Sequence, residues 1–365
     1  MARFTADTST FTQSADPQLS SPFFTVLPAE IRNLIYGEFW KLCSTRQHIV
    51  LKQEGDPELG QSVRKWSHVP CITDPEAEDT RFTRFLACDA ASPERTLWGI
   101  RLKSEWCLHW QCGEQMRQAP VIPDDVVDQD ASSSQPSLET GHLNLLTVCK
   151  RMYLESLPTL YASTTFIFTD TREAGDFLSL YGNGGDDDES ERYPIRSLEL
   201  SIRVPNIITE IYYPPAAGSN GDEGPPAVFA GRARPTLSMQ HNRWQALCDR
   251  LADLPGLQDL RIWFDSSDLR PWHKRVSETR FFGRLFDVRV PDRRRFVLGL
   301  PELPERRGPD AQVLQDHYLE GGKLDKAPFT LERGPRPNNW RVHLRSIVSA
   351  GATAQSVAVM NVNGP

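Results

Sequence analysis

Between residues 107 and 112 the chain reads CLHWQC, which sets Cys107, His109 and Cys112 close together. Thiolate and imidazole are the ligands a tetrahedral zinc ion takes, and a closed site needs four of them, usually as two near pairs. Three are present. Cys88, His142 or Cys149 could supply a fourth, but nothing in their spacing demands it. Trp106 and Trp110 alternate with Cys107 and His109 as residues do on a strand. The stretch therefore reads as a strand or hairpin carrying apolar cysteines, and no metal ligand is assigned.

Other candidate chemistry is thinner still. The acidic run GGDDDESE has no spaced ligands and no central glycine of an EF-hand loop, so it reads as a solvated loop. No Gly-x-x-x-x-Gly-Lys-Ser/Thr, no strand-bound Gly-x-Gly-x-x-Gly and no Gly-x-Ser-x-Gly elbow occurs. WFDSSD puts Asp265, Ser266 and Asp268 at a strand end without a base beside Ser266, which suits a helix cap better than a nucleophile. Cys149 reads as a small buried hydrophobe. Trp263, Arg270, Trp272, Phe281 and Phe282 are residue types that serve interfaces and cores alike. No catalytic residue and no cofactor is assigned, and the chain is expected not to be an enzyme.

The totals narrow the class further. A formal charge of −7 argues against a dedicated nucleic-acid binder, and the basic PDRRRF cluster reads as solvated surface. No window approaches the roughly 18 apolar residues that cross a bilayer, and the first twenty residues lack a signal-peptide core. Seven cysteines in no repeating pattern suit free thiols in a reducing compartment. The expectation is an intracellular protein, cytoplasmic or nuclear, with protein partners, no nucleic acid and no membrane.

The 28 prolines and 23 glycines mark the loops. Residues 119–141, 182–192, 213–235 and 301–310 are polar and rich in both, and read as flexible. Residues 1–22 and 346–365 are expected to be disordered ends. Between the loops, strand and helix patterns alternate. Residues 164–169, 195–204, 257–265 and 294–300 read as strands, with a further late one at WRVHLR near Trp340. Helices are expected from near Asp170, across HNRWQALCDRLADL with Trp244, Leu247, Leu251 and Leu254 on one face, and over 276–286. Such alternation builds β-α-β units and a mainly parallel sheet, here leucine-rich-like in its β-α order.

Two helical stretches complete the pattern. In LPAEIRNLIYGEFWKLC, Leu27, Ile31, Leu34, Ile35, Phe39 and Leu42 follow helical spacing, and Tyr36, Trp40 and Cys43 form a second apolar stripe beside them. Pro28 fits the first helical position and Glu30 the positive end of the dipole. In LNLLTVCKRMYLESLPTLY, Leu145, Leu146, Val148, Cys149, Met152, Tyr153 and Leu157 cover most of a helix that Pro158 should stop, with Tyr161 capping the turn beyond. That helix should be buried nearly all round against the first.

The first stretch resembles the opening helix of an F-box, and the second resembles an F-box's later half. The split arrangement is similar to a group of fungal F-box-like proteins with Leu-Pro-x-Glu-Ile-Arg-x-x-Ile-Tyr followed by Leu-Leu-x-x-Cys-Lys-Arg-x-Tyr-x-Glu. The resemblance implies an F-box-like helical pair packed on a small α/β domain. Residues 23–163 would form the helical region with a long insertion, and 164–345 the α/β domain. It also implies a protein-interaction module, acting as a substrate-recognition adaptor of a cullin-type ubiquitin ligase. Pro28, Ile31 and Ile35 would then contact a Skp-type adaptor, and an unknown substrate would bind elsewhere. Two alternatives stay open: a fungal scaffold protein without ligase association, and a metal-dependent enzyme using residues 107–112.

Overall fold

The computed structural model describes residues 15–56, 61–118, 145–182, 195–204, 234–266, 272, 277–303 and 318–335. Seven strands form one sheet in the order β2-β1-β3-β4-β5-β6-β7. They are β1 (Arg46–Asp56), β2 (Gln61–Pro70), β3 (Thr165–Phe168), β4 (Ser197–Val204), β5 (Asp259–Ser266), β6 (Phe296–Pro301) and β7 (Thr330–Gly334). Only β1 and β2 pair antiparallel; every other neighbouring pair is parallel. The mixed α/β class with a mainly parallel sheet, expected from the alternation, is what forms. The strands expected at 164–169, 195–204, 257–265 and 294–300 lie side by side as β3 to β6. The β1-β2 hairpin and β7 were not anticipated, and the strand expected near Trp340 falls outside the described residues. Because β1 pairs with β3, a single sheet crosses the division expected at residues 163 and 164.

The helices are α1 (Pro22–Thr25), α2 (Ala29–Leu42), α3 (Arg81–Ala87), α4 (Pro93–Leu102), α5 (Trp110–Gln118), α6 (Lys150–Ser163), α7 (Thr171–Gly182), α8 (Arg234–Ala252), α9 (Glu278–Phe281) and α10 (Gly322–Asp325). Alternation along β4 decides how they are placed. Leu198, Leu200 and Ile202 point to one face, and Glu199, Ser201 and Arg203 to the other. The apolar face joins Phe166, Phe168, Leu260, Ile262, Phe264, Phe296, Leu298 and Leu300, and is covered by Ala174 and Leu178 of α7 and by Trp244, Leu247, Cys248 and Leu251 of α8. Trp272, Phe281 and Phe282, open to either reading in the sequence, fill this core at 2 %, 1 % and 0 % exposure. The single helix expected over 276–286 is broken into α9 and a 3-10 turn at Gly283–Asp287.

The start of α7 ties this layer to the hairpin. Asp170 accepts from the backbone N–H groups of Arg172 and Glu173, the N-cap arrangement its side chain favours. Glu173 in turn accepts from the Leu51 N–H of β1 at 3.3 Å. Burial pushes its carboxyl up to about 7, and the nearby Asp170 and Asp176 charges add to the shift despite the Leu51 bond. A carboxyl raised in the fold binds protons more tightly there than in the unfolded chain. Its contribution is therefore complete below the ordinary value of 4.5 and is lost as pH rises toward 7. Glu173→Gln should remove that loss. Denaturant titrations across this window should show the wild type losing stability relative to the variant, whereas parallel profiles would contradict the assignment.

α2 and α6 pack directly on each other, although residues 43–149 separate them in sequence. The Arg and Tyr of the first stretch meet the Glu of the second. Arg32 donates to both Glu155 oxygens at 2.7 and 3.0 Å, and the Tyr36 hydroxyl donates to the same carboxylate at 3.3 Å. Trp40 Nε1 donates to Thr159 Oγ1 at 3.0 Å. Burial alone would raise the Glu155 carboxyl, but the bonds and charges of Arg32 and Arg151 outweigh it and hold it low.

The second helix differs from its expected form in three ways. It begins at Lys150, where Cys149 is the N-cap and its sulfur accepts from the Met152 N–H. Pro158 lies inside it and the helix runs on to Ser163, so Tyr161 is helical and caps nothing. Pro158 is exposed, where a missing N–H costs least because water satisfies the freed carbonyl. The helix is half-buried around its circumference, with Ser156 its only fully buried residue. Leu145 and Leu146 are helical as well, but residues 147–149 interrupt the helix before α6 begins.

Candidate functional site

The polar face of the sheet is not left to water. Residues 71–118, entered directly from β2, fold over it. Their own apolar cluster is Phe85 and Leu102 with Phe82 and Trp98 against them, too little to hold an independent unit. What fastens the segment is polar. Arg81, 2 % exposed, donates to both oxygens of Asp79 at 2.8 Å, to Asp265 of β5 at 3.1 Å and to the Cys107 carbonyl at 2.6 Å. Arg203 of β4 donates to the carbonyls of Leu102 and Ser104. Asp265 is thus a buried ion-pair partner, not the helix cap expected from its place at a strand end; Asp268 lies outside the described residues.

These contacts fix the turn that carries CLHWQC. The expected strand or hairpin is instead a 3-10 turn at Cys107–His109 running into α5. Cys107 sits at φ 48°, a left-handed conformation that costs a non-glycine residue about 1–2 kcal/mol. Arg81 holds its carbonyl there. The bend swings His109 and Cys112, three apart on successive helical turns, toward the same side. Trp106 lies flat on Gly113, where a Cβ would stand 2.6 Å from the indole, so only glycine admits the ring. That indole also packs edge-on against His48, with ring centroids 4.8 Å apart.

His48 of β1 and Cys71, just past β2, come from the hairpin. The Cys71 N–H bonds the Arg46 carbonyl, which continues the ladder by one step. Cys71 therefore opposes Arg46 and is diagonal to His48 on one face. The result is that His48, Cys71, His109 and Cys112 converge, with one ligand-type atom from each lying within 4.8 Å of all the others. Cys71 Sγ is 3.8 Å from Cys112 Sγ and 3.3 Å from His109 Nδ1. His109 Nε2 faces a Glu199 oxygen at 2.9 Å, and Arg46 pairs with the other oxygen. Cys112 Sγ takes the Ile72 N–H and lies beside the Thr73 hydroxyl, both at 3.4 Å. His48 is 1 % exposed, and neither of its ring nitrogens has a hydrogen-bond partner among the described residues.

The electrostatics follow this layout. The Cys71 thiol beside it pulls the Cys112 thiol well below its ordinary range, and His109 and His48 reinforce this against burial. Cys71 is pushed up in turn by its bond to Cys112 and by burial. Burial would raise Glu199, yet the His109 bond and the His109 and Arg46 charges hold it at about 2. Burial lowers His48. Burial would also lower His109, but its bonds to Cys112 and Glu199 raise it. The arrangement offers two sulfurs and two imidazole nitrogens to one point.

Sequence reasoning found half of this cluster. His109 and Cys112 belong to it; Cys107 does not, its thiol turned to the Glu105 carbonyl. Of the candidate fourth ligands, Cys88 bonds the Arg84 carbonyl and Cys149 caps α6, while His142 lies outside the described residues. His48 and Cys71 were missed. The only local signal for Cys71 is its place after Pro70 at a strand end.

A second surface is set by α2. Arg32, Tyr36, Trp40 and Cys43 face inward, at 7 %, 0 %, 0 % and 7 % exposure. Ile31, Leu34, Ile35 and Leu42 face outward at 42 %, 64 %, 43 % and 81 %, with Pro28 also exposed. Four of the six residues of the wide apolar face read from the sequence are thus exposed, Leu27 and Phe39 are half-buried, and the narrower aromatic stripe is buried. Pro28, Ile31 and Ile35 lie along one side of the exposed face at spacings of three and four.

Among the described residues no helix is long and apolar enough to cross a membrane. No curated protein and no solved structure matches the chain significantly. One family model does match, over residues 16–313, a span that takes in the α2 face, all four converging side chains and six of the seven strands. The chain belongs to the family described as a domain of unknown function, DUF7730.

Proposed function

We propose that the chain is a non-catalytic protein-interaction module whose partner face is the outer side of α2. The observation that carries this reading is the burial pattern of that helix. Its aromatic stripe is anchored on α6 by Arg32, Tyr36 and Trp40, while large aliphatic side chains on the opposite side stay open. Contiguous exposed apolar surface is uncommon on monomers and usually marks a partner site. Ile31 and Ile35 occupy the positions that an F-box offers to a Skp-type adaptor, so that adaptor is the partner we assign, with the chain recruiting a substrate to a cullin-type ligase. The enzyme alternative has less support, because His48, His109 and Cys112 are at most 1 % exposed.

The test uses purified components. The immobilised full chain should capture a purified Skp-type adaptor, and the double change Ile31→Asp, Ile35→Asp should abolish capture. Far-UV circular dichroism and Tm should stay nearly unchanged, since both residues are already exposed, at 42 % and 43 %. A wild type that fails to capture the adaptor would leave the scaffold reading in its place. Unfolding of the double variant would assign those side chains to the core instead.

A further inference from the structure

We propose that His48, Cys71, His109 and Cys112 bind one zinc ion tetrahedrally, and that this ion fastens residues 71–118 to the sheet. Three independent features of the cluster support it. The first is spacing. Two sulfurs bound to one tetrahedral zinc at about 2.3 Å lie about 3.8 Å apart, and a sulfur and an imidazole nitrogen lie about 3.5 Å apart. The Cys71 and Cys112 sulfurs are separated by 3.8 Å, and His109 Nδ1 is 3.3 Å from Cys71 Sγ. The other pairs lie within 4.8 Å, so only a small inward shift separates the cluster from a closed tetrahedral site.

The second is the orphaned imidazole. A buried ring with two unpartnered nitrogens leaves polar atoms uncompensated, which costs about 1–3 kcal/mol for each such group. His48 is such a ring by hydrogen-bond geometry, with the nearby Cys112 sulfur acting on it, and it is held edge-on between Trp106 and His109 at centroid distances of 4.8 and 4.7 Å. A metal–nitrogen bond satisfies it. The third is the outer layer. With Nδ1 turned to the sulfurs, His109 presents Nε2 to Glu199 at 2.9 Å, and Arg46 holds that carboxylate. A carboxylate on the far nitrogen fixes the tautomer and orientation of a zinc-bound histidine. The Ile72 N–H pointing at Cys112 Sγ stabilises a thiolate in the same way.

Ligand chemistry selects the metal and its role. Two thiolates and two imidazoles in a tetrahedron suit zinc over the oxygen-seeking cations. Four protein ligands leave no open position, and the site is shut from solvent on three of its four members. That is the arrangement of a structural ion. It also answers a packing question. The segment 71–118 has a small apolar cluster and sits on a polar sheet face, so cross-links between the β1-β2 hairpin and the α5 region must contribute what burial does not. The ion joins His48 of β1 to Cys71, His109 and Cys112 of the segment, pinning both its first residue and its α5 end to the sheet.

The full chain, expressed in zinc-supplemented medium and purified without chelator, should carry about one zinc per chain by elemental analysis. Cys71→Ser and Cys112→Ser should lose it, and Cys88→Ser, which alters a thiol outside the cluster, should keep it. Chelation should lower the Tm of the wild type, since an ion bound to the folded state stabilises it. Should the serine variants fail to fold, cobalt substitution of the wild type decides: intense visible bands with sulfur-to-cobalt charge transfer support the site. Purified chain that takes up neither zinc nor cobalt, or serine variants that retain full zinc, would overturn it. Iron in place of zinc would overturn the choice of metal.

Discussion

Arg81→Met is expected to destabilise the chain by about 3–5 kcal/mol, the range for removing one partner of a buried ion pair. Methionine fills the volume, so the loss is electrostatic. Asp79 and Asp265, 10 % and 9 % exposed at their side chains, would be left as buried carboxylates. Arg203 lies 3.6 Å from Asp265 and compensates part of the second. The Cys107 carbonyl would also lose the donor that holds its left-handed turn. Urea denaturation of the two proteins measures the difference. Adding Asp265→Asn should recover part of it, because the coupling between contacting charges is not additive. A loss below about 1 kcal/mol, typical of exposed pairs, would show that residues 71–118 are not fastened through this arginine.

Trp40→Ala should cost a comparable amount, about 3–5 kcal/mol for emptying a large aromatic site in a core. Trp40 is fully buried, and its indole N–H donates to Thr159 of α6 at 3.0 Å, so the change opens a cavity and removes a hydrogen bond across the α2–α6 contact, leaving the Thr159 hydroxyl its bond to the Ser156 carbonyl. The contrast with Leu42, 81 % exposed two positions on, makes the prediction specific. Leu42→Ala should change stability by no more than about 0.5 kcal/mol, as surface substitutions do. Equal losses at the two positions would mean that α2 buries its outer face as well, and the partner face proposed for Ile31 and Ile35 would go with it.

The parallel part of the sheet was legible in the sequence because β4 and β5 alternate cleanly and α7 and α8 carry helical spacing between turn signals. The contact of α2 with α6 was legible too, since each helix shows apolar surface it cannot bury alone. Its polar content was less visible. Arg32, Tyr36 and Glu155 read as members of two motifs, and only the fold shows that they bond to one another. The hairpin escaped notice because RQHIVLKQEG is neither alternating nor uniformly apolar. The start of β1 is buried on both faces, with Gln47 and His48 at 3 % and 1 %, and the Gln47 amide donates to the Cys43 and Ser44 carbonyls just past α2, where Ser44 is left-handed.

The same limit hid the candidate metal centre. A site whose ligands sit as two close pairs announces itself by spacing, but here only His109 and Cys112 are close. His48 and Cys71 are 23 residues apart and meet through strand pairing. Their neighbours gave no help, since Trp106 and Trp110 imitate a strand in a stretch that the Arg81 network bends into a helical turn. Cys107 stands nearest to His109 in the sequence, yet the left-handed backbone at that residue turns its thiol to the Glu105 carbonyl, away from the cluster.

X-ray absorption at the zinc edge of the purified full chain tests the convergence of these four side chains most directly. The account predicts two sulfur scatterers at about 2.3 Å and two imidazole nitrogens at about 2.0–2.1 Å around a single ion. A shell of oxygen and nitrogen alone, or a single sulfur, would contradict it, because Cys71 and Cys112 would then not share a metal.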